Sequence, residues 1–407
     1  MAAFAFIESD QTRRIKPSAT LAVNNLALEL KAKFSDVIGF AVGEPDKATP
    51  GFVGDGMATF ARQGQNKYSK PNDPKLVAPI IEKFREDNGL VFNEQEITTG
   101  VCGKELVFWG IGTAINPGDD VVIPAPYWVS YPEIVNYFGG TPRIVVPSRT
   151  DLKITPEELR AALTPKTRLF IINQPSNPAG VVYSKQELLA LAEVLREASK
   201  TNPNLVIITD DIYEKLVYGV EFFTLPQLAP DLKERCLVIN GISKSHSFTG
   251  GRFGFCGGPA AWIKSINKMI SQSSTHGPTV VHAGAIAALT GPDDFLVEWC
   301  ADYVRRRDYV LGRLEVMGIP CSRPDGAFYV FPNISQVLGK SSDGVQINTD
   351  EDFVMTFLRQ KHVACVHGSA FGMPGYMRIS YATSDENLEA GLDRMAEFIR
   401  NLRQRAA

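Results

Sequence analysis

The chain has 407 residues, too many for one hydrophobic core, so two structural units are expected. Its 44% hydrophobic and 21% charged residues are those of a folded globular protein and exclude a disordered or fibrous one. A formal net charge of -3 leaves no basic excess to neutralise phosphates, which argues against a nucleic-acid partner.

The opening residues, MAAFAFIESDQTRR, have a short apolar start with no basic stretch ahead of it and predict no secretory leader. No apolar run is long enough to span a bilayer, so no membrane association is expected. Residues 1–50 are mostly polar until the strand-like run VIGFAVGEP. From about 98 to 258 short β-branched runs alternate with helical stretches. The runs are DDVVIPAP, PRIVVPS, RLFIINQP, NLVIITDD, RCLVINGIS and FGFCGGP, and KQELLALAEVLREASK has helical spacing of its apolar residues. That alternation predicts an α/β unit with a largely parallel sheet, its strands buried on both faces. Ligands of such sheets bind beyond the carboxyl ends of the strands, where NQPSNP, TDDIY and NGISK fall.

From about 293 the texture changes. DFLVEWCADYVRRRDYVLGRLEVMG reads as a long helix, and FYVFPN, CVHGSAF and MRISYA follow as strands with a helix among them. Thr383 and Glu386 are placed to form a capping box on the last helix. The expected division is 1–50 as an N-terminal arm and part of the smaller unit, 51–292 as the large α/β unit, and 293–407 as a smaller α+β unit. The six cysteines (Cys102, Cys236, Cys256, Cys300, Cys321 and Cys365) are scattered without C-x-x-C. Neither a zinc site nor a disulfide framework is expected, and reduced thiols suit a cytoplasmic enzyme.

Several polar residues stand where chemistry is expected. Lys244, in NGISKSHSFTGGRFG, lies just past a strand end among small residues. A lysine there is either an ordinary solvated charge or, if desolvated, a nucleophile for aldehydes. Asp210 ends NLVIITDD. It either caps the next helix or stands beside a pyridine nitrogen, keeping the ring protonated as an electron acceptor. Asp211 must face the other way. Asn177, in NQPSNPAG, is turn chemistry or an amide donor to a ring oxygen, to which Tyr213 can add a hydroxyl. Gly103 and Lys104 open a helix after a strand, which is where backbone N–H groups meet a phosphate, and Arg252 can add a planar fork. Arg378, on an apolar strand, is a structural ion pair or a clamp for a carboxylate.

Taken together these segments resemble the class I and II, fold-type I aminotransferases, and among them the bacterial-type aspartate aminotransferases. The resemblance spans KPSAT at 16–20 to MRISYATSDENL at 377–388, through AVGEPDKATP, KYSKP, TGVCGKELV, INPGDDVVIPAPYWVSYPE, NQPSNPAG, TDDIYE, NGISKSHSFTGGRFG and PDGAFYVFPN. It implies the pyridoxal-phosphate-dependent transferase fold of type I, α/β, with a large cofactor-binding domain and a smaller α+β domain. It implies pyridoxal 5'-phosphate as cofactor, with Lys244 as the Schiff-base lysine and Asp210 as the pyridinium partner. Asn177 and Tyr213 would bond the ring 3'-oxygen, and Trp128 would stack on the ring. Gly103, Lys104, Ser243 and Arg252 would contact the phosphate. Tyr68 would reach the phosphate of the neighbouring subunit of a homodimer. Arg378 would clamp the substrate α-carboxylate with Gly43 beside it. The chain departs from the family pattern at Gly251, where Trp is expected, and at Asp211, Ala179 and Gly241. It departs again after KYSKP, where NDP replaces a glycine.

The implied reaction moves an amino group from L-aspartate to 2-oxoglutarate in two half-reactions, with Lys244 as general base. A broad or aromatic aminotransferase, or a C–S lyase of the same fold, is the nearest alternative. A non-catalytic regulator carrying an added DNA-binding domain is disfavoured because the motifs begin near residue 16. A nicotinamide oxidoreductase lacks its G-x-G-x-x-G here, and a serine hydrolase its G-x-S-x-G. For a dicarboxylate substrate, Lys104 is expected to recognise the distal carboxylate. The resemblance associates Lys16 with the acceptance of prephenate.

Overall fold

The computed structural model describes residues 5–64 and 66–403. Seven strands form one sheet in the order Ile97–Gly100, Gly254–Gly257, Cys236–Asn240, Val206–Asp210, Thr167–Asn173, Asp120–Pro124 and Thr141–Val145. Every pairing is parallel except those of Gly254–Gly257, which runs antiparallel to both its neighbours. Four central strands read as unbroken apolar runs because helices cover both faces. Leu169, Ile171, Ile208 and Leu237 pack on one side with Leu106 and Ile111 of helix Gly103–Ala114. On the other side Phe170, Ile172 and Ile207 pack with Leu188, Leu191 and Leu195 of helix Lys185–Thr201.

A second layer structure is built from both chain ends. Tyr329–Val330, Val366–His367 and Met377–Ser380 form an antiparallel sheet with Met377–Ser380 in the middle. Ile38–Gly39 pairs in parallel with Val363–Ala364. The run VIGFAVGEP is therefore a two-residue strand and not a long one, since its later residues leave the sheet to cross the site. Val23, Ala27, Ile38 and Phe40 share one apolar core with Leu314, Phe353, Phe357, Leu392 and Phe398.

The last helix, Asp385–Asn401, is capped one residue later than the sequence suggested. Ser384 accepts the Asn387 N–H, while Thr383 accepts only the Asn387 side-chain amide. The extended conformation of Ser384 (φ -66, ψ 156) gives it the cap, and the third helical residue is Asn387, so Glu386 closes no box. Among the described residues all six cysteines are free, no helix is long and apolar enough to cross a membrane, and no cluster suited to a metal ion occurs.

Candidate active site

The carboxyl ends of the central strands converge on a cleft of about 380 Å³. It is lined by Gly103, Lys104, Trp128, Asn177, Asp210, Tyr213, Ser243, Lys244, Arg252 and Arg378, and by Gly43 from the crossing segment. Two expected residues are not part of it. Tyr68 is 92% exposed and packs edge-on against His276 at 5.8 Å. Lys16 is exposed, its backbone N–H donating to Glu133 Oε2 at 2.7 Å, although Ser18, Thr20 and Leu21 just beyond it do line the cleft.

Strand Val206–Asp210 delivers Asp210 to the cleft floor. There the Tyr131 hydroxyl donates to its Oδ2 at 2.6 Å, and burial raises its pKa above the usual carboxylate value. Asp211 turns to the opposite side, buried beside Thr209 and Glu214, and burial pushes its pKa well above the usual carboxylate range. Asn173, at the end of the neighbouring strand, donates to the Asp210 carbonyl at 2.7 Å and accepts the Asn177 N–H at 2.9 Å. The loop that carries Asn177 is thereby set from the same strand ends.

Lys244 follows strand Cys236–Asn240 by four residues. Its Nζ donates to the Gly43 carbonyl at 2.6 Å and lies 5.6 Å from the Tyr213 ring centroid. Desolvation first, and then the Arg378 guanidinium, lower its pKa from 10.5 to about 8. The crossing segment must be glycine at 43, because a Cβ there would stand 2.8 Å from the Tyr329 hydroxyl.

Arg378 comes from the middle strand of the smaller sheet. Its Nη1 donates to Asn177 Oδ1 at 2.8 Å, its Nη2 to the Ala41 carbonyl, and its head stacks 4.6 Å from the Tyr329 ring centroid. Among the described residues no carboxylate pairs with it, and its buried Nε has no partner. A buried cation left this way is costly unless an anion completes it, so of the two readings of Arg378 the structural ion pair is not the one this strand carries.

The opposite end of the cleft suits an anion too. Gly103 opens helix Gly103–Ala114, and a Cβ there would meet Ile212 no closer than 3.8 Å. Packing does not demand glycine at this position; bare backbone at a helix start is what a phosphate needs. Gly254 is demanded, since its Cβ would stand 2.4 Å from the Gly103 nitrogen. Arg252 holds a left-handed backbone (φ 59) and donates from Nη1 to the Thr249 carbonyl at 2.9 Å. For a non-glycine residue that conformation is uncommon. Where the family pattern has Trp, Gly251 leaves room that the Phe248 ring fills, 2.1 Å from where a Cβ would be.

Sequence reasoning passed over Tyr131 as the donor to Asp210. It also missed Tyr329, whose hydroxyl lies 2.7 Å from that of Tyr213. Both stand inside quoted motifs, PYWVSY and GAFYVF, but a buried tyrosine is ordinary core until its hydroxyl partner is known.

Residues 35–395 match the family model described as aminotransferase class I and II. The chain is 43% identical over 399 residues to a protein of Cereibacter sphaeroides named aspartate/prephenate aminotransferase, covering 97% of this chain and 99% of that one. It is 39% identical to an aspartate aminotransferase of Geobacillus stearothermophilus, over 95% of this chain and 97% of that one. Among solved structures it is similar to the aspartate aminotransferase of Rhizobium meliloti, with a TM-score of 0.93 and 38% identity over 98% of this chain and 100% of that one. It is also similar to the Thermus thermophilus aspartate aminotransferase with maleate, with a TM-score of 0.89 and 36% identity over 97% and 100% of the two chains. With its fold, its cleft and these likenesses in agreement, the chain belongs to the class I and II aminotransferase family.

Proposed function

We propose that this protein is a pyridoxal 5'-phosphate-dependent aminotransferase that moves the amino group of L-aspartate to 2-oxoglutarate. One observation carries the reading. A lowered-pKa lysine, a desolvated carboxylate and an unpaired buried arginine face one cleft whose far wall is a helix start. Those groups fit the cofactor. Gly103, Lys104, Ser243 and Arg252 surround the place for its phosphate, and the desolvated Asp210 is the anion that a cationic ring nitrogen calls for.

When bound, the cofactor supplies an aldehyde carbon for amine exchange and a cationic ring that accepts electrons from the substrate Cα. The chain's own residues do the rest. Lys244 would hold the aldehyde, and its free amine would take and return the substrate Cα proton. Arg378 binds the α-carboxylate, which completes its unpartnered Nε. Asn177 already gives its Oδ1 to Arg378, so its amide N–H is left for the ring oxygen. Tyr213 would offer its hydroxyl to the same oxygen, and that hydroxyl lies 2.7 Å from the Tyr329 hydroxyl. Trp128 lines the cleft with Lys104 Nζ 4.9 Å from its ring, and the Lys104 charge would meet a distal carboxylate from there.

Lys16 stands two residues before the cleft-lining Ser18, and we place it at the entrance as added charge for prephenate, the co-substrate in the name of the Cereibacter relative. Further parts of the reading are a homodimer in which Tyr68 serves the neighbouring cleft, domain limits near 50 and 292, and a cytoplasmic location suited to six unpaired thiols. Incubation of the loaded enzyme with aspartate and 2-oxoglutarate should yield oxaloacetate and glutamate. Absence of glutamate, with turnover of an aromatic amino acid instead, would replace aspartate in this reading.

A further inference from the structure

We propose that His276 is a positioning residue for Tyr68 and, through it, for the cofactor phosphate of a neighbouring copy of this chain. The inference rests on the reading that Tyr68 serves the partner's cleft.

With 92% of its surface exposed, Tyr68 is not held by a core, and the aromatic ring it meets is that of His276, nearly perpendicular at 88°. The adjacent Ser69 N–H donates to His276 Nε2 at 3.2 Å, and His276 Nδ1 lies 2.5 Å from the Gly277 carbonyl. A carbonyl can only accept and a backbone N–H can only donate. The two bonds together therefore require the neutral ring with its proton on Nδ1. His276 thus grips the backbone beside Tyr68 and the Tyr68 ring at once.

The turn that carries His276 is itself referenced to the cofactor helix. The Ser274 hydroxyl donates to Glu105 Oε1 at 2.6 Å, and Glu105 Oε2 accepts the Val101 N–H at 2.7 Å. Glu105 lies in the first turn of Gly103–Ala114. Residues 68–73 have further anchors, with the Thr99 hydroxyl on the Pro71 carbonyl and the Ser69 hydroxyl on Asp73. These set the loop's base but do not touch the Tyr68 ring. Among the described residues the aromatic contact that directs the ring is with His276.

Cofactor-free protein titrated with pyridoxal 5'-phosphate, followed by absorbance, gives a dissociation constant for each variant. Tyr68→Phe should weaken binding about 10-fold and His276→Ala about 5- to 10-fold, the loss expected from one polar contact. The double variant should lose no more than the weaker single. His276→Gln, which restores an acceptor for Ser69, should recover to within about 2-fold. His276→Phe, which keeps a ring and loses the acceptor, replaces the alanine variant if that one does not fold. Losses that multiply in the double variant, or dimers that fall apart in sedimentation, would mean His276 acts elsewhere, and the proposal is overturned. If Tyr68→Phe weakens binding and His276→Ala does not, the proposal fails while the role of Tyr68 stands. If Tyr68→Phe binds the cofactor as the parent does, the reading of Tyr68 fails, and this inference with it.

Discussion

Lys104 meets the cleft from the start of the phosphate-facing helix, and its pKa is lowered, chiefly by desolvation. Of the cations lining the cleft, the proposed function commits Lys244 to the aldehyde, Arg378 to the α-carboxylate and Arg252 to the phosphate end, which leaves Lys104 for a second substrate carboxylate. A charge-assisted bond is worth about 1.5–3 kcal/mol, so Lys104→Ala should lower kcat/KM for aspartate by about 10- to 100-fold. Turnover of phenylalanine should change far less, and equal losses on both would assign Lys104 to the cofactor alone. Lys244 sets a pH dependence. Only its neutral amine attacks an aldehyde, so capture of the cofactor by cofactor-free protein should climb as pH rises through about 8 and level off above it. A stopped-flow midpoint near 10.5 would show that the lysine is not desolvated. The same shift acts on stability. Between about 8 and 10.5 the unfolded chain keeps a proton that the folded chain has lost, so this group's penalty is full below pH 8 and fades as pH rises.

At the scale of elements, the cofactor helix starts where the antiparallel strand Gly254–Gly257 lets it. A methyl group at 254 would lie 2.4 Å from the Gly103 nitrogen and 2.6 Å from the Cys102 carbonyl carbon, both backbone atoms that cannot swing aside. Gly254→Ala should therefore push the helix start away from the phosphate position. The expected outcome is a stability loss of about 1–3 kcal/mol, as for other overpacked sites, and weaker cofactor retention. Thermal unfolding with and without cofactor separates the two. If the variant loses stability yet binds cofactor as tightly as the parent, the helix start does not hold the phosphate.

Across the whole molecule, residues 43–49 tie the lysine loop to the smaller unit. Ser247 Oγ donates to the Lys47 carbonyl at 2.5 Å, Thr49 Oγ1 donates to the Ser247 carbonyl at 2.7 Å, and Thr249 Oγ1 donates to Glu44 at 2.9 Å. On the far side Asp46 accepts from Arg306 at 2.7 Å and Lys47 pairs with Asp302, both partners lying on helix Phe295–Val316. The carbonyl that faces Lys244 is thus set by both units. A second whole-molecule property is the proposed assembly into dimers. Mixed dimers of Lys244→Ala and Tyr68→Phe chains contain one cleft with a native lysine and a native Tyr68 only if Tyr68 crosses to its partner. Random pairing in a refolded equal mixture makes about half of the dimers hybrids, each with one native cleft, so the mixture should regain about a quarter of the parent activity. Activity no higher than that of the separate variants would place Tyr68 in its own subunit's site.

The order of strands and helices, the largely parallel sheet and the stations of Asp210, Lys244 and Gly103 at its strand ends were legible in the chain itself. Apolar periodicity and strand-terminal polar residues are local signals, written within a few positions of one another. What tertiary structure decided is which distant residues meet. The pairing of Tyr131 with Asp210, 79 positions apart, and of Lys244 with the Gly43 carbonyl, 201 apart, has no local signature. The choice of Ser384 over Thr383 as helix cap turned on a backbone torsion that neither composition nor spacing specifies. Arg378 shows the division at its plainest. Its place on an apolar strand was visible in MRISYA, but that no carboxylate among the described residues comes to pair with it could be known only once Ala41, Asn177 and Tyr329 had closed around it. A buried charge is defined by everything that surrounds it, and those surroundings are assembled by folding.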